Sequence, residues 1–116
     1  MLLGFANNIL LYNKAIDMRK QIDGLVVLVS STLNKNPSDG SAYLFYNRIF
    51  DKIKLLYYSE GGFCLFYKRL EKGLFVIPNN RDLSYQISIS ELSYLLSGLD
   101  INLLPKQESN SYKIFY

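Results

Sequence analysis

The stretch FDKIKLLYYSEGGFCLFYKRLEKGLF, residues 50–75, holds two runs of strand-forming residues divided by Glu60, Gly61 and Gly62. Glycine accepts the positive φ that a tight hairpin turn requires, so the stretch reads as two antiparallel strands. Side chains alternate along a strand, and a two-residue turn therefore sorts the hairpin by parity. Lys52, Lys54, Leu56 and Tyr58 then share a face with Phe63, Leu65, Tyr67 and Arg69. Ile53, Leu55 and Tyr57 share the other with Cys64, Phe66, Lys68 and Leu70. The second set is nearly all apolar and is the expected core face. An odd number of loop residues would swap one strand's parity against its partner's and undo this sorting.

Upstream of the hairpin, ILLYN (residues 9–13) reads as a short strand. Asp17 is placed to cap a helix, and Met18, Ile22, Leu25, Val26, Val29 and Leu33 recur at helical spacing after it. That stripe predicts a helix to about Leu33, opened by Arg19 and Lys20, with Arg19 able to pair with Asp23 four residues on. NKNPSDGS (residues 34–41) is turn chemistry, and AYLFYN (residues 42–47) is a strand candidate.

Downstream, EKG (residues 71–73) reads as a second turn, LFVI (residues 74–77) as a third strand of the meander, and YQIS (residues 85–88) as a further short strand. Ser88 and Glu91 have capping-box spacing; Leu92, Leu95, Leu96 and Leu99 then follow a helix, which Gly98 can end. The order predicts an α+β fold: a mainly antiparallel sheet of four to five strands, with two helices packed on one face. The expected division is a single domain over residues 1–104 and a tail, 105–116, whose apolar end docks or frays.

Composition narrows the function. At 116 residues the chain fits one core, and 49% apolar with 20% charged residues is globular rather than disordered. The single cysteine, Cys64, forms no internal disulfide, which fits a reducing cytoplasm. No apolar run is long enough to cross a bilayer, and the opening MLLGFANNILLYN lacks the pattern of a secretory signal. A net charge of +3 permits a polyanionic partner without demanding one. Histidine is absent, which removes the commonest general base and metal ligand. Asp17, Asp23, Asp51 and Asp100 share no spacing that selects a catalytic or magnesium site, and Cys64 falls on the core face. The expectation is a non-enzyme with no cofactor and no metal.

The cationic and aromatic face of the hairpin has two readings. Its lysines can lie over tyrosine rings on an ordinary solvated sheet. Alternatively, Lys52, Lys54 and Arg69 meet phosphates while Tyr58 and Tyr67 stack on bases, with Arg19 and Lys20 as second candidates. Lys68 and Arg69 are neighbours on a strand, point to opposite sides and are not expected to serve one ligand.

Four segments together carry a resemblance: DMRKQIDGL (residues 17–25), DKIKLLYYSEGGFCLFYKRLEKGLF (residues 51–75), VIP (residues 76–78) and LSYLLSGLDI (residues 92–101). In this order they resemble the TnpB accessory proteins of the IS66 group of bacterial insertion sequences, which are distinct from the RNA-guided nuclease of the same name. The opening MLLGF is also similar to that family's start. The chain departs in having no tryptophan, with Tyr57 or Tyr58, and Ile77, at positions where the family tends to carry it. The resemblance implies a helper of DNA transposition encoded beside a larger transposase, and it supplies no catalytic or binding residues. Expected partners are therefore that transposase, transposon-end DNA, or both. Self-association through an exposed strand edge is a further option.

Overall fold

The computed structural model describes residues 8–79 and 81–105. The expectations about MLLGF and about the apolar end of the tail lie outside the described residues.

The hairpin forms with the shortest loop. β3 (Lys52–Ser59) and β4 (Gly62–Arg69) pair from Lys52↔Arg69 to Ser59↔Gly62 in an unbroken register. Glu60 and Gly61 make the turn, with φ of 51° and 86°. Two successive positive φ values match the right-handed twist of the strands they join, and the even loop keeps the parity sorting.

β2 (Ala42–Tyr46) runs antiparallel beside β3, and β1 (Ile9–Tyr12) runs parallel beside β2. β5 (Ser84–Ile87) pairs antiparallel with β1. The sheet order is β4-β3-β2-β1-β5, a mixed sheet with one parallel pair. All five residues of β2 are buried, which explains why AYLFY reads as a continuous apolar run: both sheet faces are covered there. LFVI is not a strand of this sheet. It forms no ladder and is tied to the β2–β3 turn by the Phe75 N–H, which donates to the Phe50 carbonyl at 2.7 Å. Phe75 is buried while Leu74 and Val76 are exposed.

The α+β class, the five strands and the two helices stand, but the helices do not share a face. α1 (Ile22–Val27), continued by a π-helical turn over Leu28–Thr32, packs Leu25 and Val29 on Tyr12, Tyr43, Phe45 and Leu56. α2 (Ile89–Leu96) packs Leu92 and Leu95 on Leu11, Leu44, Ile53 and Leu55, which point the opposite way. One helix lies on each face because the second face is also apolar in its middle: Tyr43, Phe45, Leu56, Phe63 and Leu65 need a cover of their own.

The start of α1 also differs. Asp17 caps a turn, not the helix: its carboxylate accepts the Arg19 N–H at 2.9 Å, and its carbonyl accepts the Lys20 N–H at 3.0 Å. The first helical bond is Leu25 N–H to the Gln21 carbonyl, 2.9 Å. A helix running from Met18 would give the Met18 and Lys20 carbonyls to Ile22 and Gly24. Here both are taken by the Lys54 ammonium. Further on, Ser30 and Ser31 donate back to the Val26 and Val27 carbonyls, and the ladder widens to the Leu33–Leu28 bond. α2 begins as expected, with the Ser88 hydroxyl accepting the Glu91 N–H at 3.0 Å and the Glu91 carboxylate accepting the Ser88 N–H at 2.8 Å.

Candidate functional site

The β3–β4 pairing brings Lys52 opposite Arg69, Lys54 opposite Tyr67, and Tyr58 opposite Phe63. The expected contact residues therefore do lie along one face, but each has an occupation. The Lys52 ammonium pairs with Asp51 at 3.1 Å, and the Asn47 side-chain amide donates to the same carboxylate at 2.7 Å. The Asn47 hydrogen bond, followed by Lys52, holds the Asp51 carboxyl below its ordinary range. Arg69 pairs with Glu71 at 3.0 Å, which raises the guanidinium pKa further.

Lys54 is not at the surface. Only 3% of it is exposed, and its ammonium donates to the carbonyls of Met18 at 2.8 Å and Lys20 at 2.6 Å. It also lies 5.4 Å from the centre of the Tyr67 ring, a cation–π distance. Burial lowers its pKa. Its hydrogen bonds tie β3 to the turn that precedes α1.

Tyr58 stands edge-on to Phe63 at 5.0 Å, at the turn end of the hairpin, and Tyr67 is half exposed. Arg19 does not reach Asp23. It forks onto Asp17 with an Nη2–Oδ2 distance of 2.6 Å, and this pairing lowers the Asp17 pKa to about 2. Lys20 is exposed beside it. On the opposite face Lys68 donates to the Leu96 carbonyl at 2.7 Å, a cation at the C-terminal end of α2, where the macrodipole favours it. Cys64 is half-buried opposite Tyr57.

Asp100 also has a structural partner: it caps the short 3₁₀ turn Ile101–Leu103 by accepting the Asn102 N–H at 2.9 Å. Among the described residues, no group of three or more histidine, cysteine, aspartate and glutamate side chains is gathered to hold a metal. No helix among them is long and apolar enough to cross a membrane.

Sequence reading did not single out the β2–β3 turn. Asn47 is buried and bonds both the Asp51 carboxylate and the Lys52 N–H, folding residues 48–51 outward. Phe50 adopts φ 64°, uncommon for a bulky residue, and stacks on Tyr46 at 5.7 Å. Ile49 is 61% exposed at this tip, and Leu74, 56% exposed, lies on the adjoining segment with Val76. Beside the tip a cleft of about 530 Å³ opens between residues 15–18 and 47–49, with Asp17, Arg48 and Lys52 on its walls. An apolar Ile-Phe pair within a polar turn, NRIFD, is the signal that could have marked this tip.

The chain is thus a mixed sheet with a helix on each face, cations paired along one face of the hairpin, and a protruding apolar turn. The model of the family described as IS66 Orf2-like protein matches residues 7–106, and the chain belongs to that family. An uncharacterized protein of Sinorhizobium fredii, y4hO, is 40% identical over 84 residues, which cover 72% of this chain and 73% of the relative. A second from the same organism, y4jC, is 34% identical over 92 residues, 79% of each. No solved structure matches the chain.

Proposed function

We propose that this chain is a non-enzymatic, cytoplasmic accessory factor of insertion-sequence transposition that acts by docking on the partner transposase. Family membership supports the process. The observation that carries the mode of action is the engagement of the cations: Lys52 by Asp51, Arg69 by Glu71, Arg19 by Asp17, and Lys54 by buried carbonyls. A phosphate would compete with those carboxylates before it gained a contact. Ile49, Phe50, Leu74 and Val76 instead offer apolar area to a protein.

A second reading, direct contact with transposon-end DNA, rests on Lys52 and Arg69 standing opposite each other beside the half-exposed Tyr67. The two readings separate in one titration series, with purified transposase and labelled element-end DNA at several salt concentrations. Docking on the transposase predicts a complex little affected by salt, weakened at least tenfold by Ile49→Asp with Leu74→Asp. A salt-dependent DNA shift without transposase, lost in the Lys52→Ala/Arg69→Ala variant, would establish the second reading in its place.

A further inference from the structure

β4 is an edge strand whose charged safeguards, Lys68 and Arg69, are confined to one end. It runs for 8 residues, with no proline and no bulge, and its register with β3 never slips. In a two-residue hairpin the flanking pair, Ser59 and Gly62, is hydrogen-bonded. Alternation then turns Cys64, Phe66 and Lys68 inward to β3. The Leu70 N–H, which bonds the Asp51 carbonyl at 2.9 Å, continues that inward series. The N–H and C=O groups of Phe63, Leu65, Tyr67 and Arg69 therefore face outward along the open edge. Among the described residues, none of these N–H groups donates to a backbone carbonyl outside the sheet.

We propose that this edge pairs antiparallel with β4 of a second copy of the chain about a two-fold axis, making one continuous sheet. The hairpin is polarised in charge, with Glu60 at the turn end and, at the other, Lys68, Arg69 and Lys72 outnumbering the Glu71 that pairs with Arg69. Antiparallel pairing of two copies brings each Glu60 end against the other's cationic end, twice by symmetry. A continuous sheet requires paired residues to point to the same face, which restricts the register to pairs of equal parity. The register that hydrogen-bonds outward groups to outward groups with Leu65 on the axis sets Leu65 opposite Leu65 and Phe63 opposite Tyr67. Arg69 then lies opposite Gly61, next to Glu60. Phe63 and Tyr67 form cross-strand aromatic pairs, the kind that stabilises sheets. This inference is independent of whether the transposase is the partner.

Two variants test it. Leu65→Cys in a Cys64→Ser background sets the introduced thiols on the axis, where a hydrogen-bonded antiparallel pair has Cα atoms about 5.5 Å apart, within disulfide reach. Oxidation is expected to give a covalent dimer, while Ser31→Cys, at an exposed position away from β4, gives no covalent dimer in the same background. Tyr67→Pro removes one outward N–H and leaves the β3 ladder untouched. It is expected to shift the sedimentation mass from two 13.4 kDa chains to one, with the circular-dichroism spectrum retained. A wild-type monomer at 100-micromolar concentration would overturn the proposal, as would a dimer with no Leu65→Cys cross-link. If Tyr67→Pro fails to fold, the cross-link alone decides. A monomeric wild type that loses transposase binding on Tyr67→Pro assigns the edge to a strand of the transposase and likewise overturns self-pairing.

Discussion

The ammonium of Lys54 on β3 donates to the backbone carbonyl of Lys20, thirty-four residues earlier, at 2.6 Å. This bond and its companion to Met18 hold the approach to α1 against the sheet. Lys54→Met keeps the aliphatic bulk and leaves two carbonyls without their donor. The expected loss is about 2–3 kcal/mol, since hydrogen bonds from charged groups are the costly ones to remove. Lys52→Ala and Arg69→Ala, which break half-exposed or exposed pairs, should each cost much less than Lys54→Met. Urea midpoints of the three variants check the contrast.

Glu60 occupies the first central position of the β3–β4 turn with φ 51°. Left-handed backbone costs a residue with a Cβ about 1–2 kcal/mol, less for asparagine, and Asn-Gly is the favoured pair for this turn. Glu60→Asn should raise the unfolding free energy by about 0.5–1 kcal/mol with an unchanged denaturant slope.

The capping box of α2 is formed in both directions, Ser88 to Glu91 and Glu91 to Ser88. Ser88→Ala removes one of the two bonds and should cost about 1 kcal/mol by thermal or urea unfolding. Ser88→Asp should recover most of it, because the carboxylate also accepts from the first turn and complements the macrodipole.

Tyr85 carries a buried hydroxyl with no hydrogen-bond partner among the described residues. Deleting an unsatisfied polar atom removes a desolvation penalty rather than a bond. Tyr85→Phe should therefore be neutral or stabilising by about 1 kcal/mol, whereas most core substitutions destabilise.

Burial, followed by the Asp39 carboxylate, pushes the Tyr43 phenol up to about 12, and burial does the same to Tyr85. Both hold their protons in the folded state above the ordinary tyrosine value near 10. Their contribution to stability is complete below about pH 10 and is lost as pH rises toward 12. Tyr43→Phe should flatten the fall in urea midpoint across that window. Phenolate absorbance should rise together with unfolding.

The hairpin was legible because its signals agree: glycines at the turn, alternation on both strands and an even loop. The capping box and the leucine spacing of α2 were equally local. Two things were not legible. Covering β2 on both faces erases alternation, so AYLFY carries no mark of which helix lies on which side. The Lys54 bonds join residues distant in sequence, so periodicity alone carries Met18 into a helix that the structure starts at Ile22. The same bonds turn an apparently exposed cation into an internal strut. The exposed tip at Ile49 and Phe50 depends on the Asn47–Asp51 bond and on a positive φ, neither of which hydrophobic spacing records.

β1 lies between β2 and β5, registered as Ile9↔Ala42 on one side and Ile9↔Ile87 on the other. During synthesis the β2–β4 meander can assemble from neighbouring residues as it leaves the ribosome. The first strand waits: one of its flanks has no neighbour until the segment around Ser84–Ile87 has emerged. A nascent chain halted before that point would expose the flank of β1 as well as that of β4. That interval is when an unfinished sheet is most open to pairing with the wrong strand.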